Sequence, residues 1–280
     1  MAPNHRQLPI ETLPFLNRSK GNVMGTYTKF TASALLIVSL LLLAPFNSSA
    51  VAGTDKRKGR SPKLNRPLTR IEVKEAKDRL SEMGYGTLRV DGAIDADTRN
   101  AVIAFQKWEG RKVTGRLSRE DFDAIMSANA PQAKDSGYKH AEVDLDRQVL
   151  LLTDSEGNVT RVLPISSGSN KQYREKRMSG LAYTPRGRFR IENKIAGWRK
   201  SPLGLLYYPS YFSGGLAIHG NPSVPHDPQS HGCIRIPMSA SIDVSRQLPM
   251  GTIVLIYDKQ SFVSAQEWVE ADKKKVVSSQ

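Results

Sequence analysis

The sequence is poor in cysteine, with a single one, Cys233, among 280 residues. One cysteine excludes an intrachain disulfide framework in any compartment. The sequence also lacks zinc-finger spacing, an aromatic-rich RNA-binding pattern and a basic recognition helix. The fold must therefore rest on packed apolar cores, for which a hydrophobic content of 39% is low but sufficient.

Acidic residues are outnumbered by basic ones, 27 to 41, which gives a formal net charge of +14 and a pI near 9.9. This balance favours an anionic partner. Nucleic acid is one candidate, although none of its recognition motifs accompanies the charge, and an anionic cell wall or membrane surface fits equally well. For any single Lys or Arg, a solvated surface position is the simpler interpretation.

The apolar run Ala32–Phe46 is short for a membrane span, with about 15 residues against the roughly 20 that a spanning helix needs. Small residues at Ala50–Ala52 resemble a cleavage site, so residues 1–52 are predicted to be a secretory signal peptide. We expect export to the periplasm or cell wall, with no stable membrane insertion after cleavage. An uncleaved anchor and a start at Met24 stay open. Residues 53–66 are predicted to be a disordered basic linker.

Helical patterns dominate residues 67–129. Three pairs of residues have the spacing of N-terminal helix caps: Thr69 with Glu72, Asp95 with Thr98, and Ser118 with Asp121. Apolar residues at helical spacing come after the caps and are predicted to form a small core: Val73, Ala76, Leu80, Met83, Ala101, Val102, Phe105, Trp108, Phe122, Ile125 and Met126. Gly84 stands where the first helix should end. Residues 130–137, APQAKDSG, indicate a linker.

Beyond residue 137 the apolar pattern changes from helical to alternating, which indicates strands. Ala141, Val143 and Leu145 alternate with polar residues, and Val149–Leu152 is a continuous apolar run. A turn at 154–158 then predicts a hairpin. The other elements predicted here are strands at Val159–Ile165, Arg188–Ile191 and Ile253–Tyr257, and a short helix at 240–248.

The stretch Ala217–Ile236, AIHGNPSVPHDPQSHGCIRI, holds the single cysteine and three of the five histidines: His219, His226 and His231. A thiolate is a strong nucleophile that a neighbouring imidazole can generate, so the stretch favours cysteine catalysis. A cysteine without such neighbours is more often an inert core residue. A zinc site built from these histidines, Asp227 and Cys233 is another alternative, although the spacing matches no common zinc motif.

The pair His219-Gly220, followed by Ser230-His231-Gly232-Cys233-Ile234-Arg235, resembles the signature of the YkuD-type L,D-transpeptidases. The resemblance extends over about Tyr138–Asp258 and implies a mainly β catalytic domain, a YkuD-like β-sandwich, at residues 138–258. It also implies that Cys233 is the nucleophile, that His219 takes its proton, and that the Gly220 carbonyl holds that imidazole in one tautomer.

The same resemblance implies that His231, Gly232 and Cys233 supply the backbone N–H groups of an oxyanion hole. Arg235 either lowers the thiol pKa from about 8.5 or binds a substrate carboxylate, and both roles stay open. Ser230 and Tyr211 are predicted to contact the substrate, with a core position as the alternative for Tyr211. The basic run Lys171–Lys200 is interpreted as a solvated loop in preference to a flap over the groove.

The stretch Val90–Gly115, VDGAIDADTRNAVIAFQKWEGRKVTG, resembles the three-helix peptidoglycan-binding domain. This second resemblance covers about Pro67–Asn129 and implies a small all-α domain of three helices at residues 67–129. The linker 130–137 would then join it to the catalytic domain. Residues 259–280 are predicted to be a polar C-terminal tail.

Together the two resemblances imply an exported L,D-transpeptidase whose partners are peptidoglycan stem peptides and glycan, with no nucleic acid. The donor would be a tetrapeptide stem that loses its terminal D-Ala to form a thioester on Cys233, and the side-chain amine of a second stem would complete a 3→3 cross-link. Water as acceptor would give an L,D-carboxypeptidase, and a non-catalytic wall-binding protein is the rival hypothesis. No metal or organic cofactor is implied, and carbapenem-type β-lactams are expected to inhibit covalently.

Overall fold

Three α-helices open the part of the chain that the structure describes: α1 (Arg70–Glu82), α2 (Ala96–Trp108) and α3 (Arg119–Ser127). The structure is a computed structural model that describes residues 66–86, 89–175 and 178–261. The predicted signal peptide, the basic linker up to residue 65 and most of the C-terminal tail lie outside the described residues. Within the described ranges, no helix is both long and apolar enough to cross a membrane.

Each of these helices begins at the cap that the sequence predicts. The Thr69 hydroxyl accepts a hydrogen bond from the Glu72 N–H at 3.2 Å, and the Glu72 carboxylate accepts one from the Thr69 N–H at 2.8 Å. Ser118 and Asp121 form the same reciprocal pair before α3, and the Asp95 side chain caps α2. Such caps satisfy backbone donors that have no partner inside the helix and typically contribute about 1 kcal/mol each.

Strands make up most of the chain after α3. They are β1 (His140–Asp144), β2 (Val149–Thr153), β3 (Val159–Pro164), β4 (Gln172–Glu175), β5 (Met178–Leu181), β6 (Gly187–Arg190), β7 (Asn193–Lys194), β8 (Trp198–Ser201), β9 (Gly204–Ser213), β10 (Leu216–Asn221), β11 (Ile234–Pro237) and β12 (Ile253–Tyr257). A single 3-10 turn at Met238–Ala240 leads into a fourth helix, α4 (Ser241–Gln247), within the predicted range 240–248.

The strands form two main sheets that share one apolar core. The first sheet has the order β3-β2-β1-β12-β6, and the second has the order β11-β10-β9-β7, with β8 also paired to β9. Strands β4 and β5 form a separate hairpin. The core between the sheets includes Val143, Leu150 and Val254 from the first, Phe212, Ile218 and Ile236 from the second, and Val244 from α4. The predicted mainly β sandwich preceded by helices is therefore confirmed.

A second core joins the helices to the outer face of the first sheet. Leu80, Phe105 and Ile125 are fully buried in a cluster that also contains Leu151 from β2 and Val162 from β3. Because these apolar side chains leave water together, the helices stabilise the sheet and the sheet stabilises the helices.

Met126 is an exception among the predicted core residues, because 44% of its surface is exposed. It neighbours the fully buried Ile125 on α3, and successive residues of a helix lie about 100° apart around its axis. The helix therefore buries the Ile125 side and leaves Met126 in solvent.

Hydrogen bonds to backbone carbonyls also link the end of α1 to β3 and the end of α2 to the β1–β2 turn. The Val162 N–H donates to the Gly84 carbonyl at 2.8 Å, and Arg147 Nε donates to the Trp108 carbonyl at 3.2 Å. Gly84 comes after α1 with φ +88°, the left-handed conformation that favours glycine after a helix end. All described residues fall in one compact unit. The limits 67–129 and 138–258 stay predictions of where separate domains begin and end.

The alternation of apolar and polar residues in β1 does not produce an exposed face, because all five residues of the strand are buried. The Glu142 carboxylate accepts hydrogen bonds from the Lys134 N–H at 3.0 Å, the Asp135 N–H at 2.8 Å and the Tyr257 hydroxyl at 2.9 Å. His140 Nε2 lies 3.0 Å from the same carboxylate. The segment between the helices and β1 therefore covers this face, and the polar side chains are buried because they are paired.

The interpretation of Lys171–Lys200 as a solvated loop is wrong. This run contains β4 to β7 and most of β8, which pair with one another or with β9 and β12. Its strands have two to four residues each, and most of those residues are exposed or only partly buried. Only β6 lies where the alternation predicts a strand, at Arg188–Ile191. The other four strands are short and little buried on either face, so they carry no apolar alternation from which a strand could be predicted.

Phe105→Ala tests the core that joins the helices to β2 and β3. Removing a fully buried ring is expected to lower the free energy of unfolding by about 3–5 kcal/mol, and the loss should appear in one cooperative transition. Denaturation followed in parallel by far-UV circular dichroism and tryptophan fluorescence measures it. Met126→Ala, at an exposed position, is the control and should change stability by less than about 0.5 kcal/mol. Two transitions, of which only one shifts, would contradict the shared core.

Candidate active site

The predicted nucleophile and base meet where β10 and β11 lie side by side. The two strands are parallel, with Ile218 opposite Ile234 and His219 opposite Arg235. Cys233 comes directly before β11, two residues before Arg235. Because side chains alternate along a strand and paired residues share a face, His219, Cys233 and Arg235 belong to the same face of the sheet.

These three side chains line a cleft of about 460 Å³. Its walls come from four regions: the β4–β5 hairpin, the β8–β9 hairpin, β10, and the segment before β11. Its lining residues include Tyr173, Arg199, Lys200, Tyr211, His219, Ser230, His231, Cys233 and Arg235. Of the predicted site residues in the Ala217–Ile236 stretch, all but Gly220 and Gly232 therefore line one cleft, with Tyr211 on its wall.

His219 is held as a neutral imidazole. Only 4% of its surface is exposed, and its Nδ1 lies 2.9 Å from the Gly220 carbonyl. A carbonyl can only accept, so Nδ1 carries the proton and Nε2 keeps its lone pair. The pKa of His219 is lowered to about 4, mainly by burial; the Gly220 hydrogen bond opposes the shift and the Arg235 charge adds to it. At neutral pH the ring is therefore an acceptor with a defined tautomer.

Gly220 also fits a space that no other residue could occupy. A Cβ added here would lie 2.0 Å from Ser241 Oγ and 2.8 Å from Ser241 Cβ. Ser241 begins α4, and its hydroxyl donates to the Pro237 carbonyl at 3.0 Å. The glycine lets α4 pack directly behind the strand that carries His219.

Burial affects the Cys233 thiol more strongly than the nearby positive charge does. The residue is only partly exposed, and burial raises the pKa of its thiol above the ordinary value. A backbone hydrogen bond from Ala217 and the charge of Arg235 oppose this shift without reversing it. Arg235 thus acts on the thiol in the direction of a lower pKa, one of its two predicted roles, but loss of hydration outweighs its charge and the net shift is upward. The resting pair is a neutral thiol beside a neutral imidazole.

A short segment shapes the approach to the thiol, and we name residues 227–233 the nucleophile turn. The Ser230 hydroxyl donates to the Cys233 carbonyl and accepts from the Gly232 N–H at 3.0 Å. Gly232 has φ +136°, and a Cβ there would lie 2.7 Å from the Tyr183 carbonyl. The Thr184 hydroxyl donates to the Gly232 carbonyl at 2.8 Å. The turn needs glycine, and the Ser230 hydroxyl is used to hold it together.

These contacts affect the predicted role of Gly232 in the oxyanion hole and the predicted contact of Ser230 with substrate. Since the Gly232 N–H is already bonded to Ser230, it is not free to bind an oxyanion, whereas the His231 and Cys233 N–H groups have no hydrogen-bond partner in the described ranges. Ser230 is 3% exposed and its hydroxyl forms its bonds inside the turn. Its contact with substrate stays a prediction.

The His231 side chain contacts the β4–β5 hairpin. Its Nε2 donates to Glu175 Oε1 at 3.0 Å, and its ring meets the Tyr173 ring edge-on at a centroid distance of 4.7 Å. The two side chains of β4 therefore fasten the hairpin to the nucleophile turn. Glu175 and Tyr173 could not be predicted from the sequence because they lie more than 50 residues from His231 and carry no local motif.

The Arg235 guanidinium is half-buried in the cleft and makes no hydrogen bond to another residue in the described part of the chain. Burial lowers its pKa, while Cys233 and Glu175 oppose that shift. A guanidinium remains charged even so, and its planar set of donors suits a carboxylate. The structure thus leaves Arg235 available to a ligand, and its charge also acts on the thiol.

His226 and Asp227, which the zinc alternative would also require, are not among the residues that line the cleft. His226 is exposed, as expected for a loop residue, and Asp227 is exposed as well. Across residues 66–86, 89–175 and 178–261, no three His, Cys, Asp or Glu side chains come together as metal ligands would. Tyr211 lines the cleft, whereas its neighbour Phe212 is fully buried in the sandwich core.

Thiol alkylation against pH tests the electrostatics of this pair. The rate for folded protein is expected to rise through a pKa above that of the same thiol in denaturant, about 8.5, because burial disfavours the thiolate. Arg235→Gln should move the folded pKa higher still, since it removes a charge that favours the thiolate. Iodoacetamide labelling read by mass spectrometry measures both. A folded pKa at or below that of the denatured protein would contradict the neutral thiol.

Comparison with protein families finds two matches in this chain. Residues 138–256 match the YkuD L,D-transpeptidase catalytic domain, and residues 69–125 match a putative peptidoglycan binding domain. A comparison with curated proteins found no match.

One solved structure supports the same family. The chain is similar to an L,D-transpeptidase from Xylanimonas cellulosilytica DSM 15894, with 37% identity over 66% of this chain and 93% of that one and a TM-score of 0.63. It is also similar to an L,D-transpeptidase from Stackebrandtia nassauensis, with 23% identity over 66% and 90% of the two chains and a TM-score of 0.40. The chain belongs to the YkuD-type L,D-transpeptidase family.

Proposed function

We propose that the protein is a cysteine-dependent L,D-transpeptidase that forms 3→3 cross-links between peptidoglycan stem peptides. The observation that carries the proposal is the neutral, buried His219, whose Nδ1–H is bonded to the Gly220 carbonyl and whose Nε2 is left as an acceptor in the cleft that Cys233 also lines. A base of this kind can take a proton from a thiol without a carboxylate partner.

In the first half-reaction, Cys233 Sγ attacks the carbonyl of the diamino acid that precedes the terminal D-Ala. The thiol proton moves to His219 Nε2 as the carbon–sulfur bond forms. The N–H groups of Cys233 and His231 are the donors that the turn leaves for the developing oxyanion. When the carbon–nitrogen bond breaks, His219 returns its proton to the leaving D-Ala amine, and a thioester remains on Cys233.

In the second half-reaction, the side-chain amine of another stem attacks the thioester carbonyl. His219 Nε2 takes a proton from the attacking nitrogen, and the carbon–sulfur bond breaks as the amide forms. The proton then returns to sulfur, which restores the neutral pair. Because the base gains and loses one proton in each half, its low pKa keeps it ready for both.

The charge of the cleft supports an anionic donor. Arg199 and Lys200 on β8 line it together with Arg235, and no Asp or Glu is among the described residues of its wall. A tetrapeptide stem carries a carboxylate at its terminal D-Ala, and a diamino acid with a free carboxylate adds a second. We infer that these cations bind the donor before acylation.

We further propose that the helical part, α1 to α3, holds the enzyme at the wall, since residues 69–125 match a putative peptidoglycan binding domain. Binding to an insoluble polymer raises the local concentration of stem peptides. Export by the N-terminal segment and a position outside the cytoplasm are part of the same proposal, as is covalent inhibition by carbapenem-type β-lactams, which would acylate Cys233.

Mass spectrometry of the protein with a purified tetrapeptide muropeptide tests the reaction. We expect an acyl adduct on the intact protein and a cross-linked dimer that has lost one D-Ala. Cys233→Ala should lose both, because no other thiol is present. His226→Ala, an exposed histidine near the nucleophile turn, is the control and should keep both.

The products also distinguish the alternatives. Loss of D-Ala without a dimer would show that water is the acceptor and the enzyme is an L,D-carboxypeptidase. Neither adduct nor product, with wall binding retained, would overturn the proposal in favour of a non-catalytic binding protein.

The double variant Arg199→Gln with Lys200→Gln tests the cationic wall. Loss of two partly solvated charges is expected to raise KM for the donor roughly 3- to 10-fold at low salt, with little change in kcat. Arg70→Gln with Lys74→Gln removes the same charge from an exposed face of α1 and should leave KM unchanged. If both double variants raise KM equally, the effect comes from net charge and not from the cleft.

A further inference from the structure

Lys107, in the last turn of α2, is buried and forms no ion pair with any Asp or Glu in the part of the chain that the structure describes. Only 6% of its surface is exposed, and its Nζ donates to the Ile165 carbonyl at 2.8 Å and the Gln148 carbonyl at 3.3 Å. Burial lowers the pKa of Lys107 to about 8, and the charge of Asp227 opposes the shift. Since an ammonium group in such a place is unfavourable, apolar packing does not explain a lysine here.

The Ile165 carbonyl is one residue away from direct contacts with the nucleophile turn. Ile165 precedes Ser166, whose N–H and carbonyl pair with the carbonyl and N–H of Arg235, both at 3.1 Å. The Ser166 hydroxyl donates to the Asp227 carbonyl at 2.8 Å and accepts from the Gln229 N–H at 3.0 Å. Ser166 therefore bonds both to the start of the nucleophile turn, at Asp227 and Gln229, and to Arg235 in β11.

The second carbonyl belongs to a residue with an unusual backbone. Gln148 has φ +56°, a left-handed conformation that is uncommon for residues other than glycine. Its side chain bonds twice to Ser167, accepting from the N–H at 2.9 Å and donating to Oγ at 2.8 Å. The Ser167 carbonyl in turn accepts the Ser230 N–H at 2.9 Å. Gln148 thus supports the middle of the nucleophile turn.

We propose that Lys107 is a positioning residue for the Cys233 nucleophile: through Ile165 and Gln148 it holds the two serines that support the nucleophile turn. The helical part would then be required for the chemistry itself, in addition to any role in wall binding. This inference rests on the proposed function, because positioning matters only if Cys233 is acylated.

The chain contains a matched control for this inference. Lys77 on α1 is also fully buried, and its Nζ donates to the Ala93 carbonyl at 2.7 Å and to Asp91 Oδ1 at 2.9 Å. These two partners lie within the helical part, and neither touches the nucleophile turn. Lys77→Met therefore removes a buried ammonium group from the same part of the protein without disturbing the supports of Cys233.

The experiment compares full-length Lys107→Met and Lys77→Met with the unaltered protein, using a soluble muropeptide donor so that wall binding has no influence. Lys107→Met is expected to lower kcat by about 10- to 100-fold with KM within about two-fold, because misplacing the nucleophile acts on the chemical step. Lys77→Met should leave kcat within about two-fold. Melting temperatures of both variants identify any effect that stability alone explains.

Iodoacetamide labelling of Cys233 gives a readout that does not depend on transpeptidation. Lys107→Met should change the labelling rate at fixed pH by several-fold, and Lys77→Met should not. If the unaltered protein shows no turnover, the proposed function fails while the labelling comparison still tests Lys107. Ser166→Ala, which cuts the same path at its other end, should reproduce the Lys107→Met result and replaces it if that variant does not fold.

Two results would overturn the inference. One is a Lys107→Met protein with unchanged labelling and unchanged kcat. The other is an equal loss in Lys107→Met and Lys77→Met, which would show that any buried lysine of the helical part acts only through stability.

Discussion

The parallel pairing of β10 with β11 is the constraint on which the site depends. It sets His219 opposite Arg235 and puts Cys233 on the same face, although the two catalytic candidates are separated by the loop between the strands. Gly220 lets α4 pack against the back of β10, and Gly232 lets the nucleophile turn pass under the Tyr183 carbonyl. A side chain at either position would displace one member of the pair.

The chemistry depends on burial more than on charge. Both members of the pair lose hydration, so the thiol pKa rises and the imidazole pKa falls, and neither is ionised at rest. Arg235 acts in the direction of the thiolate but does not outweigh the loss of water. The tautomer of His219 is set by a backbone carbonyl, which carries no net charge and so raises the pKa of the ring less than a carboxylate would.

The helices and the motif around Cys233 could be predicted because their signals are local in sequence. Contacts between segments that are distant in sequence could not be predicted. Thr69, Asp95 and Ser118 were identified because a helix cap is decided within four residues. Apart from β6, the strands of the basic run Lys171–Lys200 were missed because they expose most of their residues. Nothing near His231 in sequence indicates its partner Glu175, and nothing near Lys107 indicates the carbonyl of Ile165, 58 residues away. The direction of the thiol pKa shift also required burial, which sequence does not supply.

An NMR titration of the His219 imidazole tests the central claim of a neutral thiol–imidazole pair most directly. We predict that, at neutral pH, the ring is the Nδ1–H tautomer and that it titrates with a pKa of about 4. Protonation of Nε2 at neutral pH, with a pKa above 6.5 that disappears in Cys233→Ala, would instead reveal a thiolate–imidazolium ion pair and contradict the neutral pair.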